Sequence, residues 1–241
     1  MKASVVELVF VIDTSESMRP CLEGLARNLD QIVQPLQGFN WKVRFGLVAL
    51  SMGKADGGAM AVRGVTLAGD VGAIYQGSSA LFTEDAASFA AKVRGLELGG
   101  DENHLIALDC AFDFPFGPLD KTRRVVALFS DERIEDGMLG PIPIEGSIEK
   151  LAEKATARRI MLFAALPSSP ALDQLGGIPC SQIEPVTGGD GLASVNFSKL
   201  LEQMGKSISV SSLQGHEGTY ERGIFGQQQW SRGTGSFDGL R

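Results

Sequence analysis

Apolar and polar positions divide this chain into short hydrophobic runs separated by amphipathic stretches. Val5–Ile12 is an almost unbroken apolar run of strand length, the pattern of a strand buried on both faces. From Pro20 to Leu36 the apolar positions Leu22, Leu25, Ala26, Leu29, Ile32, Val33 and Leu36 keep a helical period. Pro20 suits the first turn of that helix and Gly38 its stop. Trp41–Leu50 predicts the second strand. Ala59–Leu67 and Ala73–Gly77 predict shorter strands on either side of a Gly69-Asp70 turn. Thr83 stands where it can cap a helix running to Arg94, with Glu84 and Asp85 in its first turn.

A Gly99-Gly100 loop opens a helix that reaches Phe112, and Arg124–Phe129 is another buried strand. Ser147 heads a helix to Arg158, Ile160–Leu166 is a strand, Ile183–Val186 a brief edge strand, and Phe197–Ile208 a last helix. Strands alternating with helices specify βαβ units. The expected fold class is α/β: a doubly wound, mostly parallel, Rossmann-like sheet flanked by helices, over residues 1–212. Residues 213–241 differ in kind, with Gly, Gln and Ser around Tyr220, Phe225, Trp230 and Phe237 and no period. They read equally as a disordered tail or as an extended docking segment. Residues 167–191, rich in Pro, Ser and Gly, predict a long loop.

Composition changes this picture only at its edges. Apolar residues at 44% and charged ones at 21% fit an ordinary globular core. A net charge of -7 leaves no basic surplus to displace counterions from a phosphate backbone, so nucleic acid is not an expected partner. Cys21, Cys110 and Cys180 are odd in number and far apart, which predicts buried reduced thiols instead of a disulfide framework or zinc knuckle. Glu7 interrupts the first apolar run, which is too short for a bilayer and lacks a small-residue cleavage site. The expectation is a cytoplasmic protein without a membrane partner.

The chemistry gathers at strand ends. In an open parallel sheet, ligands sit beyond the carboxyl ends of the strands, where strand order reverses. If Val5–Ile12 and Arg124–Phe129 are neighbours there, Asp13 and Asp131 meet at one crevice although over a hundred residues apart. Alternate residues of an extended loop face the same way, so Asp13, Ser15 and Ser17 can face one centre. Carboxylate and hydroxyl oxygens completed by water suit a small hard cation such as magnesium; the lack of His or Cys argues against zinc.

These residues resemble the von Willebrand factor type A (VWA) family. Its metal-ion-dependent adhesion site reads Asp-x-Ser-x-Ser after the first strand, Thr in a Gly-rich loop, and Asp after the fourth strand. Val9-Phe10-Val11-Ile12-Asp13-Thr14-Ser15-Glu16-Ser17-Met18 is similar to the first piece and Leu128-Phe129-Ser130-Asp131 to the last. Gly188-Gly189 and the helix after it resemble the end of the domain, so the likeness covers residues 4–210. In Gly99-Gly100-Asp101-Glu102-Asn103, Asp101 takes the place of the family's Thr. The resemblance implies metal ligation by Asp13, Ser15, Ser17, Asp101 and Asp131, directly or through water. Magnesium is the expected ion, with manganese or calcium as substitutes. A third carboxylate would bind the ion more tightly and leave it a poorer electrophile; the alternative is that Asp101 only caps the next helix.

The resemblance further implies a protein partner presenting Asp or Glu to the metal, and work within a bacterial assembly with an ATPase, kinase or phosphatase. No catalysis is expected. The competing reading is a metal-dependent phosphohydrolase or nuclease using the same carboxylates, which would need a second metal or a general acid. A phosphotransfer nucleophile at Asp13 would want a second acid two residues on, where Ser15 stands. Gly205-Lys206-Ser207 has Leu200 in place of the glycine of a phosphate-binding loop. His104 and His216 lie far apart, and His104 is expected as a surface residue at a helix start. Ser130 is expected to hydrogen-bond within its loop. Glu132, Arg133, Glu135 and Asp136 form either a solvated loop or a frame for the partner.

Overall fold

Side-chain alternation along the first strand, β1 (Val5–Asp13), sets up the layers of the molecule. Leu8, Phe10 and Ile12 enter one core with Cys21, Leu22 and Leu25 of α1 (Arg19–Asn28) and Phe89, Ala90 and Val93 of α4 (Ala86–Arg94). Val9 and Val11 point the other way. They join Leu105, Leu108 and Phe112 of α5 (His104–Phe112) and Ile148, Leu151 and Ala155 of α6 (Ser147–Ala157). Burial on both faces is why the strand reads as a continuous apolar run, each large side chain contributing about 1.5–3 kcal/mol. The computed structural model describes residues 5–37, 41–54, 60–99, 103–134, 147–178 and 182–186, with residues 201, 202, 204–206 and 208.

Five further strands complete the register around β1: β2 (Lys42–Lys54), β3 (Met60–Thr66), β5 (Thr122–Phe129), β6 (Ile160–Pro167) and β7 (Gln182–Val186). With the two-residue β4 (Gly69–Asp70) the sheet has seven strands among the described residues, in the order β4-β3-β2-β1-β5-β6-β7. β1 pairs in parallel with both β2 and β5, so strand order reverses beside it, as the doubly wound expectation requires. Among the described strands only β3 runs against the others, pairing antiparallel with β2 on one side and β4 on the other. The described residues from 201 to 208 are helical, and Leu201, Met204 and Ile208 close the first core.

Several local expectations are corrected. Ala73–Gly77 is not a strand: α3 (Gly72–Tyr75) occupies it, and the strand is the Gly69-Asp70 pair itself. Asp70 Oδ1 accepts from the Gly72 N–H at 2.7 Å, an Asx turn that starts a helical turn where apolar content alone suggested extension. The long helix divides at Leu29 into α1 and α2 (Asp30–Gln37). Asn28 Nδ2 donates to the Gly24 carbonyl at 2.7 Å, competing with the backbone ladder just before the break. Asp85, not Thr83, caps α4; Thr83 is held instead in a bridge with Phe45. The 167–191 segment contains α7 (Pro170–Leu175), capped by Ser169. Residues 213–241, Gly188-Gly189 and Cys180 lie outside the described residues.

Candidate metal site

Parallel pairing of β1 and β5 brings the ends of both strands to one rim, with Ile12 opposite Phe129. Asp13 is the last residue of β1, 3% exposed, on the face that packs against α5. Its carboxylate is fixed from two sides. Oδ1 accepts from the Ser15 N–H at 2.7 Å, and Oδ2 accepts from Ser130 Oγ–H at 2.6 Å. Ser15 Oγ lies 2.9 Å from Ser17 Oγ and donates toward Asp131 Oδ1 at 3.5 Å. Asp13, Ser15, Ser17 and Asp131 therefore form one connected cluster. Burial is graded across it: Asp13 and Ser15 are buried, Asp131 half-buried and Ser17 exposed, so the cluster opens to solvent on its Ser17 side.

The backbone explains the shape of the loop. Ser15 is extended (φ -61°, ψ 154°), and a single turn of 3-10 helix, Glu16–Met18, follows it and leads into α1. Met18 N donates to Ser15 O at 3.1 Å and is anchored by a fully buried side chain. Gly99 N donates to Thr14 O at 2.7 Å, tying the glycine loop to this turn. Gly99 has φ +135°, a region open to glycine.

Among the described residues no Lys or Arg forms an ion pair with Asp13 or Asp131, although ion pairs are frequent elsewhere. Both carboxylates act on the same neighbours. Burial first, then Asp131 and Asp13, push the Cys21 thiol up to about 12, so it stays protonated and offers no thiolate. Burial lowers the pKa of His104, against the opposing pull of Asp13 and Asp131. The donors gathered here are all oxygens, which fits a hard divalent ion completed by water. No three His, Cys, Asp or Glu side chains among the described residues converge as a metal cluster, so two carboxylates and two hydroxyls are the set on view.

Asp101, the fifth expected ligand, lies outside the described residues, as do Gly100, Glu102, Glu135 and Asp136. Asn103 caps α5 by accepting from Ile106 N at 2.9 Å. Ser130 is a loop hydrogen-bonder as expected: it also accepts from Glu132 N at 3.0 Å. His104 is a correction. It is not a surface residue but 3% exposed. Its spacing to Leu108 and Phe112 on the buried stripe of α5 is the signal that could have shown this.

The fold is a VWA-like, Rossmann-like α/β fold. A solved structure supports the class: the chain is similar to the crystal structure of the SpRpn10 VWA domain, with a TM-score of 0.51 and 13% sequence identity over 84% of this chain and 95% of that one. No protein-family model and no curated protein matches the sequence. Among the described residues no helix is long and apolar enough to cross a membrane.

Proposed function

We propose that the chain is a metal-dependent protein-binding module. Asp13, Ser15, Ser17 and Asp131, joined by Asp101, hold a divalent cation, magnesium first, and leave a coordination position for an Asp or Glu of a partner protein. The observation that carries this reading is the pair of carboxylates linked through Ser15, neither of them in an ion pair among the described residues, at the solvent-open switch point of the sheet. Two negative charges held close together favour a divalent ion over an empty site. Metal and partner then bind cooperatively, because each completes the coordination of the other.

The module acts by binding and not by turnover. Its nearest thiol is protonated and buried, and a phosphohydrolase built on the same carboxylates would need a general acid or second metal. An assembly with an ATPase, kinase or phosphatase in a bacterial cytoplasm is the setting proposed for it. Calorimetric titration with magnesium tests the site. Saturable heats in wild type and none in Asp13→Asn are expected; equal heats in both would refute it. Phosphoester turnover that requires magnesium and disappears in Asp13→Asn would establish the enzymatic reading instead.

A further inference from the structure

His104 is a side chain that the oxygen cluster leaves unexplained. It is the first residue of α5 and is 3% exposed, and neither Nδ1 nor Nε2 has a hydrogen-bond partner among the described residues. Buried polar side chains are nearly always paired, and an imidazole needs a partner for its N–H and another for its bare nitrogen. Among the described residues nothing in the packing supplies either one. A leucine would fill such a position in a helix whose buried stripe is otherwise Leu105, Ala107, Leu108, Cys110, Ala111 and Phe112.

Its placement says what the missing partner is. α5 leads down to β5, so its first residue lies at the carboxyl end of the sheet, the end that carries Asp13. Asp13 projects from the face of β1 that α5 covers. The loop before α5 is tied to the Asp13–Ser17 turn through Gly99 and Thr14. Both Asp13 and Asp131 are near enough for their charge to act on the ring, raising its pKa against burial, the larger cause, which lowers it. Among the described residues His104 forms no three-residue ligand cluster with Asp13 and Asp131. Water is the partner that a hard divalent ion would bring, since such an ion on few protein ligands keeps several of its waters.

We propose that His104 is a positioning residue of this site, holding by hydrogen bond a water molecule on the ion bound by Asp13, Ser15, Ser17 and Asp131. This rests on the metal reading above. The unprotonated ring nitrogen accepts from a water that the ion has polarised into a strong donor, and the ring N–H donates to a further water. By holding a water on the α5 side, His104 would leave the exposed Ser17 side free for a partner carboxylate. The rim then carries an orienting imidazole, outside the oxygen set and invisible to a ligand count.

Manganese binding to the full chain tests this, with melting in chelator measured beside it. Replacing His104 by Leu removes both hydrogen-bonding atoms and keeps the bulk. His104→Leu should bind Mn2+ roughly tenfold or more weakly. Its metal-free form should melt at the wild-type temperature or above, because an unpaired buried polar group has been replaced by an apolar one. His104→Gln, with a donor and an acceptor, should keep most of the affinity. Wild-type Mn2+ affinity in His104→Leu overturns the inference. So does weaker binding that comes with a lower metal-free melting temperature and is not recovered by His104→Gln, the mark of a merely structural role. The site reading fails separately: wild-type affinity in Asp13→Asn, or no Mn2+ uptake by the wild type, removes both.

Discussion

One strand carries an acidic residue near each end, and the two have opposite surroundings. Glu7 and Asp13 lie on the same face of β1, about 20 Å apart at roughly 3.3 Å per residue. Glu7 is 1% exposed but fully engaged: Oε1 pairs with Arg44, and Oε2 accepts from Gly117 N at 2.7 Å. Arg124 continues that network, donating to the Gly117 carbonyl at 2.7 Å and the Arg158 carbonyl at 2.9 Å, while Arg158 donates to the Phe114 carbonyl at 2.8 Å. The backbone is close there too, since a Cβ on Gly117 would lie 2.5 Å from Thr122 Oγ1. At the other end the donors to Asp13 among the described residues are a hydroxyl and a backbone amide. A buried acid with its cation built in closes a structure; Asp13, without an ion pair among the described residues, is where we propose a cation enters from outside.

The largest expected effect separates the two ends by stability. Glu7→Ala strands Arg44 and the Gly117 N–H and should cost about 3 kcal/mol in denaturant unfolding, near the low end for a broken buried pair because Arg44 is partly exposed. Asp13→Asn, measured in chelator, should change stability by less than about 1 kcal/mol, since the amide oxygen still accepts a hydrogen bond and a charge is removed. Comparable losses in both variants would break the contrast. Next in size is the metal's own contribution. At a hundredfold excess over its Kd, magnesium should stabilise the wild type by about 2.7 kcal/mol in a thermal melt and leave Asp13→Asn unmoved.

Asp101→Thr sharpens the account of charge at the rim. Removing the third carboxylate should lower metal affinity and strengthen capture of a partner carboxylate, measured by parallel titrations; weaker partner binding at unchanged metal affinity would contradict it. The smallest effect concerns the cap of α4. Hydrogen bonds from the Ser88 side chain, the Ser88 N–H and the Ala87 N–H hold the Asp85 carboxyl below its ordinary pKa. A depressed folded pKa gives stability that is present above pH ~4 and lost as pH falls through the folded value. Asp85→Asn should therefore flatten the acid limb of stability against pH slightly; an unchanged limb would show that the cap carries no pH dependence.

Sequence reasoning reached the frame of the site because its carriers are strongly patterned. β1 and β5 are apolar on both faces, so their ends, and with them Asp13 and Asp131, could be located from the sequence, and the doubly wound order did the rest. Short segments were less legible. The five-residue run Ala73–Gly77 fits a strand or a helical turn equally, and the Asp70 side chain decided between them. Thr83 and Asp85 are both good caps, and the bridge to Phe45 removed Thr83 from the choice. His104 was missed because a polar residue after a glycine loop looks like a surface helix start unless its helical spacing to Leu108 and Phe112 is followed inward.

Paramagnetic broadening of backbone amide signals by substoichiometric Mn2+ tests the contrast between the two ends most directly. The account predicts that signals of Ser15, Ser17 and Asp131 vanish first while those of Glu7 and Gly117 persist, and that Asp13→Asn abolishes the pattern. Broadening centred on Glu7 and Gly117, or spread evenly along β1, would contradict it.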